Sequence, residues 1–219
     1  GDVMKYLRLF PKVAIILSLS TLLLYACATS QIIQEPVTDL GKRHQFESFS
    51  VLPPQGDNWF LIFSKEQSGK ALLMFGKEVK PGTPLGTKSF QPHTIRAGLT
   101  ATQYTGNDDV GSPQHYLDMI KQSEHANTPK SFVVLEQEYS PYKKIGEYCV
   151  LVETHTEDHN VASDPGNVYQ FRVTSLYCYD RNTQMMVTVS YSQRALDKKD
   201  LINLDAECVP FIDSLKFNQ

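Results

Sequence analysis

The densest group of possible metal ligands lies at residues 155–159, with the sequence His-Thr-Glu-Asp-His, followed by Asp164. Imidazole nitrogens and carboxylate oxygens are the groups that proteins use to bind zinc, copper or nickel. A spacing of four residues brings two side chains together on a helix, whereas this segment has the pattern of a strand that runs into a loop. A solvated hairpin tip therefore competes with a metal site formed by His155, His159 and Asp164, which is our alternative function.

Two of the four cysteines, Cys149 and Cys178, are placed to form a disulfide across a hairpin. Directly paired residues of an antiparallel hairpin have a constant sum of residue numbers, so this pair places the chain reversal within residues 163–167. That segment, Ser-Asp-Pro-Gly-Asn, independently predicts a turn. Two reduced cysteines on neighbouring strands are the competing interpretation. We predict the disulfide, provided that the register is not hydrogen-bonded at this pair, and we expect Cys208 to be a buried free thiol.

Residues 77–92 form a long segment without regular periodicity between two predicted strands. The segment contains three prolines and two glycines, and loops of this length inside compact domains are often functional. Lys80 and Lys88, together with Leu85 and Phe90, give it a basic and apolar character. We interpret it as a partner-binding loop, and a surface excursion without function is the alternative.

Signatures of catalysis and of nucleotide binding are absent from the sequence. It contains no Gly-x-Ser-x-Gly elbow, no phosphate-binding glycine loop and no dinucleotide fingerprint. The formal net charge is −3, from 21 basic and 24 acidic residues, and this balance predicts no nucleic-acid partner. The sequence therefore favours a non-enzymatic role without a cofactor.

Eight segments have the apolar–polar alternation or the turn boundaries of β-strands. They are residues 46–52, 58–64, 70–76, 94–104, 132–139, 147–155, 168–179 and 184–192. Ser112 and Pro113 form an N-cap pair for a helix to residue 126, and a second helix is predicted over 200–216, interrupted by Pro210. Short links between strands favour antiparallel pairing. We predict an α+β fold, an antiparallel β-sheet with packed helices.

The first 26 residues have the composition of an export signal. Three basic residues precede the apolar stretch 13–24, and the apolar character ends near residue 28, short of the roughly 20 residues that span a bilayer. An uncleaved N-terminal anchor or a buried helix is the alternative.

The residues Leu24-Tyr25-Ala26-Cys27 resemble the lipobox of bacterial lipoproteins. This resemblance implies that Cys27 is lipidated and becomes the first residue of the mature chain. Because Ala28 follows, it also implies an outer-membrane location that faces the periplasm in a Gram-negative cell. We expect a signal peptide over 1–26, a lipidated flexible tether over 27–45 and one folded domain over 46–219.

The order of elements, with ESFSVLPPQGDNWFLIFS at the start of the domain and VTVSYSQR and FIDSLKF near its end, resembles the PsbP/Mog1-like domains. That resemblance implies a PsbP/Mog1-like sandwich and a binding or assembly role, without a shared set of catalytic residues. The sequence therefore predicts an envelope lipoprotein that contacts the membrane through Cys27 and binds an unidentified envelope protein.

Overall fold

A computed structural model describes residues 34–82, 85, 91–106 and 110–218. The predicted signal peptide and Cys27 lie outside the described residues, as do Lys88 and Phe90 of the predicted loop. Strands account for 45% of the described residues and helices for 15%, so the domain is mainly β. The prediction of an α+β fold with packed helices, arranged as a PsbP/Mog1-like sandwich, is wrong. Seven of the eight predicted strands are the long strands of one large sheet, and the eighth, predicted over 46–52, is a three-residue strand of a separate small sheet.

The described residues form eleven strands and two α-helices. They are β1 (Glu35–Pro36), β2 (His44–Gln45), β3 (Phe49–Val51), β4 (Trp59–Gln67), β5 (Lys70–Lys77), β6 (Thr94–Gln103), α1 (Pro113–Asn127), β7 (Phe132–Pro141), β8 (Cys149–Asp158), β9 (Tyr169–Asp180), β10 (Met185–Ala195), α2 (Asp205–Asp213) and β11 (Lys216–Phe217). A short 3-10 helix, Lys198–Asp200, follows β10.

Eight strands form one antiparallel sheet in the order β1-β4-β5-β6-β10-β9-β8-β7. The strands β4 to β6 and β7 to β10 are two runs of neighbours, and the pairing of β6 with β10 joins them. Strands β1 and β7 are therefore the two edges of the sheet. The remaining strands form a small sheet in the order β11-β3-β2.

The central strand β10 separates two hydrophobic cores. Met185, Val187, Val189 and Tyr191 point to one face, as their alternation predicts, and pack in the larger core, which also contains α2 and the small sheet. Met186 points to the other face, where it joins a smaller core beneath α1. Because both faces are covered at the centre, nearly all of β10 is buried.

The helix α1 begins as the sequence predicts. The Ser112 hydroxyl accepts a hydrogen bond from the backbone N–H of His115 at 3.2 Å, and Pro113 occupies the first turn. Tyr116, Leu117 and Ile120 are its buried residues. With 15 residues, α1 is the longest helix in the described part of the chain, and neither α-helix there has the length and hydropathy needed to cross a membrane.

The second predicted helix is divided, and the division falls before Pro210. The buried Gln193 side chain donates a hydrogen bond to the carbonyl of Ile202 at 2.6 Å and accepts one from its N–H at 3.0 Å. These two bonds hold the chain around Ile202 in a non-helical conformation, so α2 begins only at Asp205. Pro210 then lies inside α2.

The predicted tether is partly folded onto the domain. Strand β1 pairs with β4, and the N–H of Val37 donates to the carbonyl of Trp59 at 2.9 Å. Strand β2 pairs with β3, and Arg43 Nε donates to Ser50 Oγ at 2.9 Å. The folded domain therefore begins earlier than the predicted residue 46, since residues 35–45 make regular contacts with it.

Candidate functional site: an open sheet edge beside an acidic groove

Strand β7 is an open edge of the large sheet. It pairs with β8 on one side, and no strand pairs with its other side within the described residues. In an antiparallel ladder, about half of an edge strand's backbone N–H and C=O groups point away from its neighbour. The N–H of Phe132 already donates to the carbonyl of Pro129 at 2.9 Å, so the outward-pointing groups after Phe132 are those with which another extended chain would pair. We call residues 132–139 the β7 edge.

Three consecutive apolar side chains on the β7 edge are exposed. Val133 is 47%, Val134 41% and Leu135 46% accessible to solvent. The other large apolar side chains of similar exposure in the described part are separated along the chain. An apolar run on an unpaired strand is a surface that proteins usually cover or use for association.

A β-bulge lies within this apolar run. Val134 pairs with Thr156 and Glu136 pairs with His155, so Leu135 is an extra residue without a partner in β8. The bulge changes which residues share a face of the sheet. Val133, Glu136 and Glu138 then lie on the face that carries α2, and Phe132, Val134, Gln137 and Tyr139 lie on the face that carries α1.

Beside the β7 edge, on the α2 face, lies a groove of about 590 Å³. Strands β7 to β10 form its floor, and residues 201–205 form its opposite wall. We call it the acidic groove because four carboxylates line it, whereas Arg172 alone among the described lining residues carries a fixed positive charge. The four are Glu136, Glu138, Glu153 and Asp205.

The carboxylates nearest the β7 edge lack cationic partners. Glu138 and Glu153 are directly opposite each other across β7 and β8, an arrangement in which like charges repel. Neither they nor Glu136 form a salt bridge within the described part of the chain. A cation supplied by another molecule would therefore relieve an existing repulsion.

The far wall of the acidic groove is held in place by side chains from its floor. Tyr191 donates a hydrogen bond to Asp205 Oδ1 at 3.0 Å, and burial raises the pKa of the Tyr191 hydroxyl, so it stays a donor at neutral pH. Gln193 holds Ile202 through the two hydrogen bonds described above. Hydrogen bonds from Tyr191 and Gln193 thus fix the wall of the acidic groove to its floor.

The predicted metal ligands are not brought together. His155 is buried within β8, with its Nε2 atom 2.9 Å from Gln170 Oε1. His159 is exposed and contacts Glu157 at 3.1 Å, while Asp164 is hydrogen-bonded within its own turn. Over the described ranges, no group of three or more His, Cys, Asp or Glu side chains is arranged to hold a metal ion.

The predicted register of the β8–β9 hairpin is confirmed. Cys149 lies directly opposite Cys178, and the same register continues without a shift to the pair Asp158 and Tyr169 at the turn. The two sulfurs form a disulfide with an S–S distance of 2.03 Å. Cys208 is a buried free thiol, and burial raises its pKa.

The predicted partner-binding loop is described only in part. Lys80 is exposed, but Leu85 is 6% accessible and belongs to the buried residues. The carbonyl of Leu85 also accepts a hydrogen bond from Arg96 Nη2 at 2.8 Å. Leu85 is therefore not available to a partner, which corrects its predicted role.

A small cavity of about 70 Å³ lies on the α1 face, between the end of α1 and strands β7 to β9. The Tyr177 hydroxyl donates to Glu124 Oε1 at 2.6 Å in its wall, and burial raises the pKa of Glu124. Thr156 Oγ1, which is buried beside it, has no hydrogen-bond partner in the described part. The cavity has room for a few water molecules.

The sequence indicated β7 as a strand but did not reveal its position at the edge. Two features of the segment are typical of edge strands, namely Pro141 at its end and the charged Glu136 and Glu138 within it. The exposed Val133 and Val134 gave no such indication, because an apolar run equally fits a buried strand.

Comparisons with known proteins assign no family to this chain. No protein-family model matches it, and no curated protein matches it in a sequence search. Its function must therefore be inferred from the β7 edge, the acidic groove and the sequence itself.

Proposed function

We propose that the protein is a lipoprotein of the cell envelope that binds a protein partner through the β7 edge and catalyses no reaction. The observation that carries the proposal is the open strand with three consecutive exposed apolar side chains. Its backbone groups would supply hydrogen bonds to an added strand, and its apolar side chains would lose contact with water.

Anchoring rests on the first 27 residues. Lipidation of Cys27 would attach the domain to the membrane through several acyl chains, which together give stable anchoring where one chain is marginal. Removal of residues 1–26, which contain three basic residues and Asp2, leaves a net charge of −5. An acidic domain is not attracted to anionic lipid headgroups, so the lipid itself supplies the membrane contact.

Site-specific photo-crosslinking tests the partner-binding proposal. A photoreactive amino acid at Val133 should give one discrete adduct with an envelope protein in living cells. The same amino acid at Val209, an exposed valine on α2, is the matched control and should give none. Equal adducts at both positions, or no adduct at Val133, would contradict binding through this edge.

A separate experiment tests the anchor. Cys27→Ser should remain an unprocessed precursor and should not incorporate labelled palmitate, because the thiol is the attachment site for the lipid. Normal processing together with retention in the membrane fraction would refute the lipoprotein assignment and would leave the crosslinking result unaffected.

A further inference from the structure

We propose that the partner segment that binds the β7 edge is an extended chain in which basic residues alternate with apolar ones. This inference rests on the proposed function and names the chemistry of the partner. The segment would add to the sheet as a ninth strand, with its basic side chains over the acidic groove and its apolar side chains on the α1 face.

The spacing of a sheet determines which side chains would meet. An added strand lies about 4.8 Å from β7, and its successive residues point to opposite faces. Those on the α2 face would stand beside Val133, Glu136 and Glu138, at the rim of the acidic groove. Those on the α1 face would stand beside Val134 and Tyr139.

The charge of the acidic groove requires basic residues on its side of the added strand. Glu136, Glu138 and Glu153 have no cationic partner in the described part, and the last two repel each other across the ladder. Lysine and arginine side chains are long enough to reach the directly opposed and the diagonal positions. One such side chain would neutralise part of the repulsion between Glu138 and Glu153.

The α1 face of the added strand calls for apolar side chains. Val134 is exposed there, and Phe132 contributes a ring packed 5.8 Å from the ring of Phe171. Lys121 Nζ lies 5.8 Å from the centre of the Tyr139 ring, so this face already has a cation near the strand. A second cation there would be repelled, whereas an apolar side chain would cover Val134.

A second copy of this chain is a poorer occupant of the edge. Pairing β7 with itself would bring the glutamates of two acidic domains together, which adds repulsion instead of removing it. The bulge at Leu135 would also interrupt the ladder between two copies. A basic partner is attracted to the glutamates instead of being repelled by them. A flexible segment can also adjust its backbone to the bulge at Leu135.

Three synthetic peptides of eight residues, with blocked termini, test the inference by fluorescence anisotropy on the full-length lipidated chain in uncharged detergent. The first alternates Lys and Val. The second is N-methylated at every backbone nitrogen, so it keeps the charge and loses the hydrogen-bond donors. The third alternates Glu and Val. We expect the first peptide to bind at least about tenfold more tightly than either of the others.

Two double variants locate the site. Glu138→Gln with Glu153→Gln should weaken binding of the Lys-Val peptide about tenfold, because two charge contacts are lost. The matched control, Asp118→Asn with Glu147→Gln, removes the same charge from exposed positions elsewhere and should have no effect. Circular dichroism verifies that all variants are folded, and the first pair should fold readily because it loses a repulsion.

Each remaining outcome decides against the inference. Equal binding of the Lys and Glu peptides, or of the methylated peptide, would overturn the predicted partner chemistry. If no peptide binds but the Val133 adduct persists, the inference about partner chemistry is refuted and the proposed function is not. If neither peptide binding nor the adduct is observed, both the inference and the proposed function are refuted. Self-association that protects Val133 would show that a second copy occupies the edge.

Discussion

Reduction of the disulfide between Cys149 and Cys178 should lower the free energy of unfolding by about 3.6 kcal/mol at 25 °C. The two cysteines are 29 residues apart in the sequence. Closing a loop of that length removes about 12 cal/mol/K of chain entropy from the unfolded state, which gives the figure above. The disulfide stabilises the fold by restricting the unfolded chain. In the folded state, the two strands already pair along their whole length through backbone hydrogen bonds.

Reduction is a cleaner perturbation than substitution at these positions. Both cysteines are buried in the larger core, so replacing them with alanine would also remove packed volume and add the cost of a void. Cys208 should first be changed to alanine, because it is the one further cysteine in the described part and could exchange with the other two during refolding.

Urea unfolding with and without a reductant measures the difference, and the single tryptophan reports the transition. Trp59 is buried in the larger core, so its fluorescence should change when the domain unfolds. A difference below about 1 kcal/mol, with the bond verified by peptide mapping, would refute the entropy argument. Free thiols at both positions in protein isolated from the periplasm would refute the disulfide itself.

Three further predictions concern the partly buried Glu124 and Glu207 and the buried Cys208. Because burial raises the pKa of Glu124, the contribution of this carboxyl group to stability should fall as pH rises from the ordinary value of 4.5 through the raised one, so Glu124→Gln should gain stability relative to the wild type between pH 4 and pH 8 in urea unfolding. An equal dependence on pH in the variant would contradict the sign of the shift. Glu207→Ala removes the acceptor of the Trp59 indole N–H at 2.7 Å and of the Lys77 ammonium at 2.6 Å, and should cost about 2 kcal/mol, whereas a cost below about 0.5 kcal/mol would mean that water replaces it. Cys208 should resist a thiol reagent in the native protein and react after unfolding, since it is buried and its pKa is raised; rapid stoichiometric labelling of the native protein would show that the thiol is accessible.

The parts of the fold that the sequence predicts are those set by local patterns. Seven long strands and α1 lie where alternation, turn residues and the Ser112 cap place them, and the hairpin register follows from the turn at residues 163–167. Each of these depends on residues close together in the chain. The strands β1, β2 and β11 were missed, because two residues cannot show a period and are held by distant partners.

Long-range contacts account for the errors. The helix that is predicted to begin at residue 200 begins only at Asp205, because the Gln193 side chain binds the backbone of Ile202, nine residues away. Helical periodicity in the sequence does not reveal that hydrogen bonding. The fold class was wrong because counting elements does not reveal that the two runs of strands join through β6 and β10. The edge position of β7 was not predicted for the same reason, since it depends on the order in which all the strands of the sheet pair.

Strands β1 and β7 are the two opposite edges of the large sheet, so in a protein anchored at Cys27 the lipid and a partner bound at β7 would be on opposite sides of the domain. Seven interstrand steps of about 4.8 Å place β7 about 34 Å from β1 across the sheet. Strand β1 begins eight residues after Cys27, a distance of at most about 28 Å when the chain is extended. In a protein anchored at Cys27, the sheet is then a spacer with its attachment at one end and its recognition surface at the other. The width of the sheet then allows β7 to lie up to about 34 Å farther from the lipid than β1 does, so a partner could bind there without contact with the headgroups.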